Sequence, residues 1–203
     1  MHRIIAAAVL LIALAEPALA HHPMGGRVPV SFTEGLLSGF GHPIIGLDHL
    51  AAVLAIGALA AAHRVGVALA LGYVVAMIAG VAVHLQGVML SGAEFLVALS
   101  VILLGVLLAR RAVVQSGALL GLFALAGLLH GYALGESIVG AEQAPLTAYL
   151  IGLTVIQSAI ALAAMYAAKF VLAHRGPLML RLAGATITGI GIAILLQQIV
   201  RAA

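Results

Sequence analysis

The chain has 203 residues, 65% of them hydrophobic and only 7% charged, with a mean hydropathy of +1.27. No soluble domain of this size can bury that much apolar surface, so an all-α, multi-span membrane protein is expected. The absence of cysteine excludes disulfides, thiolate metal sites and thiol catalysis, and the small basic surplus, nine Lys and Arg against six Asp and Glu, forms no clustered face for nucleic acid.

Residues 1–20, MHRIIAAAVLLIALAEPALA, place Arg3 before an apolar run and end on A-L-A. This is the pattern of a secretory signal peptide cleaved after Ala20; the rival reading is an uncleaved first helix. Cleavage leaves residues 21–203 as a single transmembrane domain beginning His21-His22-Pro23.

A membrane helix needs about 20 mostly apolar residues. Six segments qualify, at about 36–62, 65–85, 92–109, 113–135, 146–169 and 178–200. Short connections marked by Gly, Pro or charge separate them: His63-Arg64, Gln86-Gly87, Arg110-Arg111, Glu136 to Pro145, and His174 to Pro177. With the N-terminus outside, Arg64, Arg110, Arg111, Lys169, Arg175 and Arg181 fall at the inner face, against Arg27 and Arg201 outside. That bias predicts a bacterial inner-membrane protein with both mature termini in the periplasm. The acids Glu34, Asp48, Glu94, Glu136 and Glu142 then all lie on the outer side, with His21, His22, His42, His49, His84 and His130. Imidazole and carboxylate concentrated at one face suit borderline divalent metals.

Within the first span, FGHPIIGLDHLAAVLAIGALAAA carries His42, Asp48 and His49. On one continuous helix His42 and His49 share a face two turns apart, which puts Asp48 and His49 about 10 Å below His42. Pro43 sets a helix start or a kink, and Gly46 lets another backbone approach. A charge at this depth costs on the order of 3 kcal/mol or more and faces the bundle interior with a partner. One reading is a hydrogen-bond network holding helices together; the grouping of two imidazoles with a carboxylate favours a cation site.

Further along, His84 ends the second span and Glu94 begins the third, both at the outer side, as two additional candidates for an ion path. In LLHGYALGESIVGAE, His130 closes the fourth span and Glu136 follows at the surface. Gly131 and Gly135 form a G-x-x-x-G pair that permits close contact and would bring His130 against the first span. Gln157, with Thr154 and Ser158, falls mid-way along the fifth span, where interhelical hydrogen bonds are the leading expectation. The methionines show no repeat and are assigned to packing. At the start of the mature chain, His21 with its free amine, and His22, can chelate a metal; the rival is an accidental pair on a tail.

HPIIGLDHLAAVLAIG resembles the H-P-x-x-G-x-D-H-x-x-x-M signature of the HupE/UreJ family of nickel/cobalt permeases, and HGYALGE resembles that family's second motif. The resemblance implies metal-handling roles for His42, Asp48 and His49 from the first motif and for His130 and Glu136 from the second. Val53 replaces a Met and Leu134 a His found in many members. One imidazole fewer leaves cobalt, or another divalent ion, open beside nickel.

The sequence therefore predicts a six-helix permease, not an enzyme, that takes Ni2+ or Co2+ as its transported ion with no organic cofactor. Its surroundings are the lipid bilayer, with self-association into a homo-oligomer allowed. No G-x-x-x-x-G-K-[ST] motif is present. Uptake is then driven by membrane potential or coupled to protons. The alternatives are an accessory protein that hands metal to an enzyme-maturation pathway, and an intramembrane metalloenzyme, against which stands the lack of H-E-x-x-H.

Overall fold

The computed structural model describes residues 27–202, and among them every regular element is helical. Residues 1–20, expected to form a signal peptide, and His21-His22 lie outside the described residues. Seven α-helices follow one another: α1 Phe32–Ile45, α2 Leu47–Ala60, α3 Gly66–Leu85, α4 Ala93–Arg110, α5 Ser116–Gly135, α6 Gln143–His174 and α7 Leu178–Ala202. A single 3-10 turn, Glu136–Ile138, follows α5.

Helices α3 to α7 are each long and apolar enough to cross a membrane. The first predicted span is not one helix. It is broken at Gly46, where α1 and α2 meet at 77°. Each half has 14 residues, about 21 Å, short of the roughly 30 Å hydrocarbon core. Among the described residues the count is therefore five spans, or six if the broken pair is one. Pro43 lies inside α1 rather than at its start, and the helix runs on through Ile45. The chain turns at Gly46, which adopts an extended conformation (φ −74°, ψ 102°). Its backbone stays satisfied at the break: the Gly46 N–H donates to the His42 carbonyl (2.9 Å), and the Gly46 carbonyl accepts from Leu50 N–H (2.9 Å). A break at this depth would otherwise leave polar groups without water.

Helix α1 starts on a capping arrangement. Ser31 Oγ accepts the Glu34 N–H (3.2 Å), and the Glu34 carboxylate accepts the Val30 N–H (2.9 Å).

The helices assemble as α3 on α5, α4 on α7, and both halves of the broken pair on α6. Glycines sit where backbones approach most closely. A methyl on Gly35 or Gly39 would overlap the Pro145 or Tyr149 carbonyl of α6, and one on Gly57 the Ala161 carbonyl. Gly127 and Gly131 likewise press on the Tyr73 and Met77 carbonyls of α3, and Gly135 on His84. The G-x-x-x-G pair thus packs against the second span, not the first. Residues four apart share a face, so 127, 131 and 135 form one stripe toward α3, and His130, about 100° round from Gly131, faces α2. The core centres on α2, whose Ala51, Ala52, Val53, Ala55, Ile56 and Ala60 are all buried by its neighbours.

Candidate metal-handling cluster

The break at Gly46 decides the geometry of the first motif. Instead of lying two turns apart on one helix, His42 at the end of α1 and His49 at the start of α2 have ring centroids 5.9 Å apart. Asp48 and His49 occupy the first turn of α2, where the amide ends of the helix favour negative charge. Asp48 Oδ1 accepts the His49 N–H at 2.8 Å and lies 3.8 Å from His49 Nε2. Gly46 leaves the space these groups occupy: a Cβ there would stand 2.8 Å from His49 Cδ2 and 3.1 Å from Asp48 Oδ1.

His130 of α5 joins them. Its Nδ1 is 2.8 Å from His49 Nδ1, and the ring centroids are 5.0 Å apart. His130 is fully buried, His42 and His49 nearly so, and the Asp48 side chain keeps 17% of its exposure, which makes it the most exposed member of the cluster.

Hydroxyl groups at either end set the tautomers. The Ser100 hydroxyl of α4 donates to the Val97 carbonyl (2.7 Å), so its oxygen accepts from His130 Nε2–H (2.9 Å). Neutral imidazole carries a single N–H, which leaves His130 Nδ1 to accept from His49 Nδ1–H. At the other end, Ser137 donates to the Leu134 carbonyl (3.0 Å) and accepts from His42 Nδ1–H (3.0 Å). Tyr149 of α6 buttresses this end, donating to the same carbonyl at 2.8 Å.

The 3.8 Å between His49 Nε2 and Asp48 Oδ1 is within about 1 Å of the spacing that metal–ligand bonds of roughly 2.0–2.2 Å produce. In this conformation, however, the rings bond to one another. Among the described residues no three His, Asp or Glu side chains converge on one point able to hold an ion. The cluster contains the donor types a borderline divalent ion takes, with their positions occupied by mutual hydrogen bonds.

Of the residues predicted from sequence, His42, Asp48, His49 and His130 come together. Glu136 does not join them; it is exposed at the 3-10 turn, and it is the next residue, Ser137, that reaches in. The His84 ring rests on Tyr132 at 4.4 Å, and Tyr132 ties down the following loop through the Val88 carbonyl and Leu90 N–H, both 2.8 Å. Glu94 is exposed in the first turn of α4. Gln157 makes none of the interhelical hydrogen bonds expected of it, and Thr154 bonds within its own helix to the Leu150 carbonyl (2.7 Å). Sequence reasoning missed Ser100, Ser137 and Tyr149. A lone serine in an apolar span usually bonds back to its own helix, so only the position of Ser137 beside the second motif was a signal.

Membrane-length apolar helices around a buried set of imidazoles, a carboxylate and hydroxyls define a polytopic helical membrane protein with a polar site inside its span. The chain belongs to the HupE/UreJ family, whose profile, described as HupE / UreJ protein, matches residues 9–194. It is 28% identical over 188 residues to Protein HupE of Rhizobium leguminosarum bv. viciae, an alignment that covers 91% of this chain and 94% of that protein. No solved structure matches the chain significantly.

Proposed function

We propose that this protein carries a divalent transition-metal ion, Ni2+ or Co2+, inward across the bacterial inner membrane, with the ion as cargo and no chemistry performed on it. The observation that carries this reading is the juxtaposition of His42, Asp48, His49 and His130 by the break at Gly46. A structural network needs hydrogen-bonding groups but no charge. The carboxylate, on the helix end that favours anions and at the cluster's one partly exposed edge, offsets the charge of an entering cation. Loading requires the His49–His130 hydrogen bond to be exchanged for bonds to the ion, which leaves room for one imidazole to hand the ion to the next. The mature N-terminus, with His21 and His22 as a capture site, and Glu136, Glu94 and His84 near the outer rim complete the entry side.

The test is metal flux into sealed liposomes holding purified protein, wild type beside Asp48→Asn. The amide keeps shape and hydrogen bonding but removes the charge. Wild-type flux with at least a tenfold loss in the folded variant is expected. Equal flux in both would sink the cation-site reading, and no flux in either would leave a non-transporting accessory role.

A further inference from the structure

Two fully buried polar side chains make no hydrogen bond to the cluster. Neither Nε2 nor Oε1 of Gln157 has a hydrogen-bond partner, and neither does the Tyr73 hydroxyl, although both residues are 0% exposed. An unpaired buried amide or hydroxyl costs on the order of 1–3 kcal/mol, which a purely structural position would shed by mutation to Leu or Phe.

The two lie at the same depth. Helix α3 starts with Gly66 against Met165 of α6 and runs antiparallel to it, so seven residues up α3 and eight residues back along α6 reach Tyr73 and Gln157 at one level. Gln157 belongs to the buried stripe of α6 with Leu153 and Ala161, between the contact of Leu153 with Gly39 and that of Ala161 with Gly57. It therefore faces the part of the broken pair that carries the bend. Tyr73 packs beside Gly127, and its ring is 6.3 Å from that of His130. His130 lies three residues past Gly127, the neighbour of Tyr73, so the level of Tyr73 and Gln157 is a little under one helical turn, about 4.5 Å, further inward than His49 and His130.

We propose that Gln157 and Tyr73 form an inner station for the ion, supplying a carboxamide oxygen and a phenol oxygen to a partly hydrated divalent cation after it leaves the imidazole cluster. The inference rests on the transport reading and adds to it the next step inward. Neutral oxygen donors hold such an ion more weakly than imidazole and carboxylate do, as an onward step requires; a second tight site would trap it. Tyr73, against His130 on one side and level with Gln157, is placed to pass the ion between the two.

The experiment compares wild type, Gln157→Leu, Tyr73→Phe and Gln157→Asn in proteoliposomes, with Ni2+ and Co2+ as probes, and measures equilibrium metal binding and thermal unfolding on the same preparations. Removing an unpartnered amide leaves Gln157→Leu at least as heat-stable as wild type. The expected result is unchanged equilibrium binding and half-saturation, with maximal flux down at least tenfold in Gln157→Leu and several-fold in Tyr73→Phe. Gln157→Asn, still neutral and still carrying a carboxamide oxygen, should keep flux several-fold above Gln157→Leu. Wild-type flux in Gln157→Leu overturns the inner station while leaving the transport reading intact. Equal loss in the Leu and Asn variants makes the residue a packing element and likewise overturns it. An absence of flux in wild type overturns the transport reading and the station together.

Discussion

Gly46→Ala is the most incisive perturbation of the cluster, because it removes no polar group. The backbone at Gly46 (φ −74°, ψ 102°) is open to alanine, so the substitution adds no conformational strain. The cost is contact: the new methyl would stand 2.8 Å from His49 Cδ2, 3.1 Å from Asp48 Oδ1 and 3.3 Å from the His42 carbonyl oxygen. Ordinary contact begins at 3.4 Å, so the His49 ring must retreat by about 0.6 Å. Overpacking of this kind costs about 1–3 kcal/mol. Displacing a group by 1 Å in a positioned site costs about a hundredfold, so uptake should fall on the order of tenfold or more. The control is Gly121→Ala in α5, where nothing lies within 4 Å of the added methyl and stability should hold or rise by up to about 1 kcal/mol. Uptake of Ni2+ or Co2+ per folded protein, read with thermal unfolding, checks both. Wild-type uptake by Gly46→Ala would refute the claim that the bend's empty space holds His49 in register.

Ser100→Ala removes the oxygen that accepts from His130 Nε2–H and leaves a buried donor unmet, so unfolding should come about 1–3 kcal/mol earlier and uptake should fall, while Ser100→Thr should retain both. Uptake should decline on acidification, since protons compete with the ion for the same imidazole nitrogens; a rate that rises toward low pH would contradict ligation by His42, His49 and His130. The native chain lacks cysteine, so single replacements report topology directly: Gln86→Cys and Glu142→Cys should react with an impermeant thiol reagent in intact spheroplasts, and Ala112→Cys and Arg175→Cys should not. The reverse pattern would invert the orientation drawn from the basic residues.

Span positions were legible because length and apolarity are local properties; the segments read at 65–85, 92–109 and 178–200 agree with α3, α4 and α7 to within a few residues. The broken first span was not legible. Pro43 was visible as a helix disruptor, but its ring was accommodated within α1, and the turn fell at Gly46, between the contacts of Gly39 and Gly57 with α6. The four side chains that meet in the cluster were singled out from composition and family signature, yet their arrangement was misjudged: a straight helix separates His42 from His49, and the bend brings them together. Ser100 and Ser137 were hidden because their role arises only when distant helices meet. The glycine stripe in α5 was read correctly as a close-contact surface and assigned to the wrong neighbour, since a motif states that a backbone approaches and not which one.

The shortness of α2 bears on how the molecule is made. A 14-residue helix with an aspartate in its first turn and a bend before it is a poor candidate for entering the bilayer alone, and the groups that accept it are synthesised later: His130 on α5, and the carbonyl ridge of α6 that Gly39 and Gly57 press against. Until α6 emerges, the two halves lack the backbone on which Gly39 and Gly57 seat them. Insertion of the first span is therefore a late, cooperative event that waits for the fifth, and a chain truncated before Gln143 should leave its N-terminal region unseated and exposed to membrane proteolysis.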